Sequence, residues 1–171
     1  MILILCIVVS VFLVMEAWRA RRNERMQLAQ GGLEAPGDVY SAMRLAYPAA
    51  FAVMIGEGAW RGGASPYVGA GLVLFALSKA LKWWAIVALG RQWTFRVIVV
   101  PGMAVVENGP YRFLRHPNYV AVAGELVAVA MMAGASVSGP IATVVFLALV
   151  ARRIVIENRA LDAILRRGSR T

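Results

Sequence analysis

The chain is poor in charge and in the residues that carry metal or covalent chemistry. One cysteine, Cys6, and one histidine, His116, stand among 171 residues, and there are 9 Asp and Glu against 18 Lys and Arg. A lone cysteine excludes a disulfide framework, and one histidine without a cysteine cluster cannot assemble a zinc site, so no metal is expected. Charged residues are 16% of the chain and hydrophobic residues 60%. Soluble domains sit nearer about 25% and about 45–50%. With a mean hydropathy of +0.68, the chain is too apolar for disorder and has the composition of a membrane protein. At this length a single domain over residues 1–171 is expected. The net charge of +9 does not indicate nucleic acid, because the arginines border apolar runs instead of forming a stripe on a soluble face.

Residues 1–18 form the first apolar run, followed by RARRNER with four arginines. A secretory signal carries its positive charge before the apolar region and a cleavage site after it, so this run reads as a retained helix with its N-terminus outside. Further runs lie at about Tyr40 to Trp60, Pro66 to Leu89, Asn118 to Ala135 and Pro140 to Ile156, with a polar stretch from Gly90 to Pro117. Each suits a hydrocarbon core of about 30 Å. The arginines cluster after the first, third and fifth runs, whereas Arg61 stands alone on the opposite side. The positive-inside rule then predicts an all-α membrane protein with five transmembrane helices, N-terminus out and C-terminus cytoplasmic, the last two forming a hairpin. Lys79 and Lys82 are expected to snorkel to the cytoplasmic surface.

Carboxylates in or beside apolar runs need partners. Glu57 is expected to pair with Arg61, four residues on, at the outer end of the second helix. Glu125 lies about two turns into the fourth helix, where it faces protein or a polar cavity. GEGAWRG, Gly56 to Gly62, has the outline of a nucleotide-binding glycine loop, but no strand precedes it. The densest polar chemistry is ENGPYRFLRHPNY, Glu107 to Tyr119. Tyr111, Arg112, Arg115 and His116 supply donors there, and Pro117 suits the first position of the fourth helix, whose N-terminus favours an anion. Arg153 and Glu157 share a face of the last helix, and the hairpin brings Glu157 toward His116 and Arg115.

GPYRFLRHPNY, an apolar hairpin and then RIVIENRAL together resemble the isoprenylcysteine carboxyl methyltransferase family of integral membrane enzymes. The match is specific over Leu89 to Leu161. It is similar above all to the bacterial branch, whose members methylate lipid-tailed phenols and pyrones, and LGRQWTFRVIVVPG, Leu89 to Gly102, is part of that likeness. The resemblance implies methyl transfer from S-adenosylmethionine to a lipophilic acceptor in a bacterial cytoplasmic membrane, with the cofactor held by about residues 89–171. It gives cofactor contacts to Tyr111, Arg115, His116, Pro117, Tyr119 and Glu157 and catalytic roles to His116, Arg115 and Glu157. Candidate acceptor contacts are Glu125 and Arg153, polar groups in or beside apolar runs, and Trp93, an aromatic near the motif that otherwise reads as a membrane anchor. Two departures stand out: Asn158 follows Glu157 where the family often has a second glutamate, and LDAILRRGSRT lacks the family's later tyrosine-containing stretch. A phenol acceptor gains from a base, and His116 is the candidate. A sterol-type reductase using a nicotinamide cofactor and a non-catalytic membrane protein are the alternatives. The reductase loop has Gly-Glu one residue after Asn-Tyr, whereas here Gly124 and Glu125 come later.

Overall fold

The computed structural model describes residues 2–62 and 65–168, with side chains described up to residue 159. Five helices account for most of it: α1 (Ile2–Ala29), α2 (Tyr40–Trp60), α3 (Val68–Leu89), α4 (Pro117–Ala133) and α5 (Ser138–Gly168). Three are long and apolar enough to cross a membrane, namely α1, α3 with the turn that follows it, and Ser138–Arg159 of α5. The apolar α4, at 17 residues, is shorter. The fold is therefore that of an all-α membrane protein, with one minimal β ladder. Leu33–Glu34 (β1) pairs antiparallel with Ile98–Val99 (β2), Leu33 opposite Val99 and Glu34 opposite Ile98.

Two helices outrun their apolar segments. α1 continues through RARRNERMQLA because nothing there breaks a helix before Gly31, which takes a positive φ. Its extension buries Asn23 and Gln27 against the α3–α4 connection. The Asn23 amide donates to the carbonyls of Gly90 (3.0 Å) and Trp93 (2.7 Å), and the Gln27 amide to that of Arg91 (2.9 Å). α5 likewise runs past Ile156 into the arginine-rich tail, where Arg170 lies outside the described residues and the side chains of Arg166 and Arg167 are not described.

At the far end of the bundle Glu57 does more than pair with Arg61 (2.8 Å). Its carboxylate accepts from the Val137 and Ser138 amides (3.2 and 2.7 Å) and the Ser138 hydroxyl (2.6 Å), so α2 caps the start of α5. Helix α3 packs most extensively against α4. The close approach is built on small residues, since a Cβ on Gly124 would collide with the Ser78 hydroxyl and one on Gly71 with the Met132 side chain, and Gly58 lets α2 approach the Ala133 carbonyl in the same way.

The lysines of α3 do not snorkel. Lys79 and Lys82 are 8% and 2% exposed, and between them they hold the equally buried Glu16 of α1 and Glu125 of α4. Lys79 Nζ lies 2.8 Å from Glu16 Oε1 and 3.0 Å from Glu125 Oε2. Lys82 Nζ lies 2.6 Å from Glu16 Oε2, off the direction of an aligned hydrogen bond, and 3.4 Å from Glu125 Oε1. The Tyr47 hydroxyl of α2 donates to Glu125, Lys79 sits over the Phe12 ring at 4.5 Å and Lys82 over the Tyr47 ring at 5.1 Å. Snorkelling fails because each ammonium, three residues from the other on one helix face, finds two carboxylates closer than the interface.

Four charges that sum to zero tie α1 to α3 and α4, so loss of one costs more than loss of an opposite pair. Lys79→Met is expected to destabilise the protein by about 3–5 kcal/mol. The double change Glu16→Gln/Lys79→Met should be milder, as read by thermal unfolding in detergent; equal loss in both would show that the charges are not coupled.

Candidate functional site

The α3–α4 connection is held from three sides. α1 grips residues 90–93, β1 grips 98–99, and Asp38, just before α2, accepts from the Val97 amide (2.9 Å). Asp38 also accepts from the Tyr40 amide (3.1 Å) and receives Arg153 of α5 at 3.3 Å. The other Arg153 donors go to the Phe95 carbonyl and, from Nε, to the Tyr119 hydroxyl (2.8 Å). Tyr119 in turn donates to Glu157 Oε2 at 2.9 Å. Arg153 and Glu157 therefore meet through the α4 tyrosine, not directly along their shared helix face.

His116 caps the start of α4, its ring 5.5 Å from that of Tyr119 and its Nδ1 3.9 Å from Glu157 Oε2. That separation is too long for a hydrogen bond but close enough for the two groups to share a ligand. Pro117 is buried at the first helical position. The helix start offers less to an anion than its position suggests. Pro117 has no N–H, and the amides of Tyr119 and Val120 both donate to the His116 carbonyl (3.1 and 3.3 Å). Tyr111 stands in the 3₁₀ turn Gly109–Arg112. Burial and then the Glu157 charge push its phenol well above the usual value, so at neutral pH it is a proton donor.

Of the residues singled out from sequence, Tyr111, His116, Pro117, Tyr119, Arg153 and Glu157 come together. Arg115 does not join them: its side chain is exposed and forms no hydrogen bond or ion pair with a described residue. Trp93 is 3% exposed in a small core with Ala20 and Ile86, its ring 5.2 Å from Phe95 in an edge-to-face contact. Burying its large ring under α1 takes it out of the cavity wall, which Phe95 reaches instead. Glu125 belongs to the ion quartet. Glu16, Asp38, Asn23 and Tyr47 escaped the sequence reading, although a glutamate and two lysines three apart in separate apolar runs signal a buried pairing.

A cavity of about 190 Å³ lies between the connection and the quartet, and every helix contributes to its wall. Tyr119, Asn118 and Arg153 line its side toward Glu157, Lys82 and Tyr47 its side toward the quartet, and Leu13, Val122 and Phe146 give it apolar surface. Asn118 Oδ1 is buried with no partner among the described residues, an acceptor available to a ligand. A larger, open cavity of about 700 Å³ lies at the opposite end beside Arg61 and the α4–α5 turn. Among the described residues no group of His, Cys, Asp and Glu could hold a metal ion.

Comparison with known proteins adds to this geometry. The isoprenylcysteine carboxyl methyltransferase (ICMT) family model matches residues 71–163, which contain the loop, α4 and the Arg153–Glu157 segment. An uncharacterized protein of Bacillus subtilis (strain 168), YpbQ, is 28% identical over 145 residues, covering 84% of this chain and 86% of that one. No solved structure matches the chain.

The position of Tyr111 beside Glu157 has a measurable sign. A difference titration of wild type against Tyr111→Phe should place the Tyr111 phenol above its ordinary value of 10.0. Glu157→Gln should bring the midpoint down, because a nearby negative charge opposes phenolate formation; a midpoint that stays put would separate the two groups.

Proposed function

The chain belongs to the isoprenylcysteine carboxyl methyltransferase family, and on that premise we propose that this membrane methyltransferase uses S-adenosylmethionine to methylate an oxygen, carboxylate or phenol, of a lipophilic acceptor at the cytoplasmic face of the membrane. One observation carries the reading. The chain of contacts from Arg153 through the Tyr119 hydroxyl to Glu157 joins the wall of the cavity to a partly exposed cluster of polar groups at the start of α4. Cofactor and acceptor would thus occupy two chambers that share Tyr119 and Arg153.

The donor set fits the cofactor. Its ammonium and sulfonium call for a carboxylate, and Glu157 is one-third exposed beside His116. Its carboxylate calls for cations, and Arg115, exposed in the loop next to His116, is free to turn toward it. Tyr111 can donate to it as a neutral phenol. When bound, S-adenosylmethionine supplies an electrophilic methyl group. The protein's part is to align and desolvate: Arg153, pinned by Asp38 and the Phe95 carbonyl, fixes Tyr119, and Pro117 fixes where His116 stands. His116 does not line the cavity, which supports placing it on the cofactor side.

The orientation rests on one end of the bundle. The α1 extension with Arg19, Arg21, Arg22 and Arg25, the α3–α4 connection and the Arg152–Arg153 end of α5 are bonded together there, whereas Arg61 and the uncharged α4–α5 turn lie at the other end. Our reading is five crossings of a bacterial inner membrane, with the arginine-rich end placed in the cytoplasm by the positive-inside rule. A lipid acceptor would then enter from the bilayer.

Calorimetry of purified protein in nanodiscs tests this. Saturable S-adenosylmethionine binding is expected, weakened about tenfold or more by Glu157→Ala, a charge-assisted contact worth upward of about 1.4 kcal/mol. His116→Ala should weaken it as well. Absence of binding by folded wild-type protein, with NADPH binding in its place, would transfer the site to reductase chemistry.

A further inference from the structure

The ion quartet reaches the cavity at one point, where Lys82 and Tyr47 line its floor. Pairing alone does not require this. Glu16 and Lys79 already neutralise each other away from the cavity, yet Lys82 is brought to its wall while bonded on its far side to Glu16 and Glu125. The cavity lining includes Arg21, Arg44, Lys82 and Arg153 and no carboxylate. Its volume of about 190 Å³ is that of one ring-sized head group, since a cavity of about 150 Å³ holds benzene. Such a chamber suits a ring bearing an acidic oxygen, with the rest of the acceptor outside.

We propose that Lys82 and Tyr47 are catalytic residues of the acceptor chamber, which stabilise a ring hydroxyl as its anion and pass its proton to Glu125. This rests on the methyltransferase reading. The acceptor O–H bond breaks, its proton goes to the Tyr47 oxygen, and Tyr47's own proton passes along its existing hydrogen bond to Glu125. The acceptor oxygen keeps the electron pair that would form the new C–O bond as the donor's S–CH3 bond breaks and its electrons stay on the departing thioether sulfur, and until then the Lys82 ammonium balances the oxygen's charge. Glu125 then returns the proton along the same bond to Tyr47, which lines the cavity, and from there to water once the product has left. The groups that set this balance are Glu16 from α1, Lys79 and Lys82 from α3 and Glu125 itself, with Arg21, Arg44, Tyr40, Tyr119 and Arg153 facing the chamber above them. A carboxylate acceptor, already ionised, would use Lys82 and leave the Tyr47 route idle.

The test uses full-length protein in nanodiscs and 2-dodecyl-4-nitrophenol, whose phenolate is coloured. Bound to wild type, the probe should ionise about 1–3 pH units lower than in empty nanodiscs, as an acid beside an ammonium does. The charge-balanced Glu16→Gln/Lys82→Met variant, checked for folding by thermal melting, should lose that shift. In parallel, Tyr47→Phe should slow S-adenosylmethionine-dependent methylation of 5-pentadecylresorcinol about 100-fold at pH 7. The rate should recover as the pH approaches the phenol's own ionisation, with cofactor affinity unchanged. No probe binding, an unshifted probe, no methylation of the resorcinol by wild type, or a Tyr47→Phe loss equal at every pH would each overturn the proposal. A shifted probe in a protein that binds no S-adenosylmethionine would leave the anion site standing and remove the methyltransferase reading instead.

Discussion

The bundle is organised around two lysines and two glutamates buried between its helices. Glu16, Lys79, Lys82 and Glu125 come from three helices, and each charge is tolerable inside an apolar interior only while both neighbours of opposite sign stay in place. Hydrophobic contact between helices is weakly directional in a membrane, where lipid tails are as apolar as leucine. The quartet supplies the missing direction. It sets the register of α1 against α3 and α4, and Tyr47 brings α2 to the same point.

The polar end of the molecule depends on that register. With α1 fixed, its extension places Asn23 and Gln27 under residues 90–93, and the connection between α3 and α4 becomes a braced structure with its backbone carbonyls satisfied. Arg153 then finds the Phe95 carbonyl, Asp38 and Tyr119 together. The same arginine stands between the group of His116, Tyr111 and Glu157 and the cavity above the quartet. A transfer reaction needs this kind of partition, in which two reactants are held on either side of shared residues and water is kept from one of them.

Much of the architecture was legible from residue order. Apolar runs placed all five helices, and Pro117 and Gly134 mark the ends of α4. The pairing of Glu57 with Arg61 followed from a four-residue step, and the hairpin brings Glu157 toward His116 as its spacing implies, whereas Arg115, expected beside them, stands exposed. What escaped depended on contacts between distant segments. Lys79 and Lys82 look like snorkelling residues until Glu16, more than sixty positions away, is known to face them. Trp93 looks like an acceptor contact until Ala20 offers it a place to be buried. The length of α1 was underread because its last turns are stabilised by the α3–α4 connection, not by their own apolar face.

By itself the sequence determined that this chain lies in a membrane as a helical bundle, where the helices run, which end carries the cations and which loop holds the densest polar groups. These are properties of composition, period and spacing, set by the cost of placing backbone and charge in hydrocarbon. Tertiary structure alone decided which charges are partners, that Arg153 reaches Glu157 through Tyr119, and that a chamber with an ammonium in its floor lies beside the loop. Those outcomes turn on distances of a few ångströms between helices. In a buried site such distances separate a neutralised charge from an intolerable one, and no local pattern along the chain encodes them.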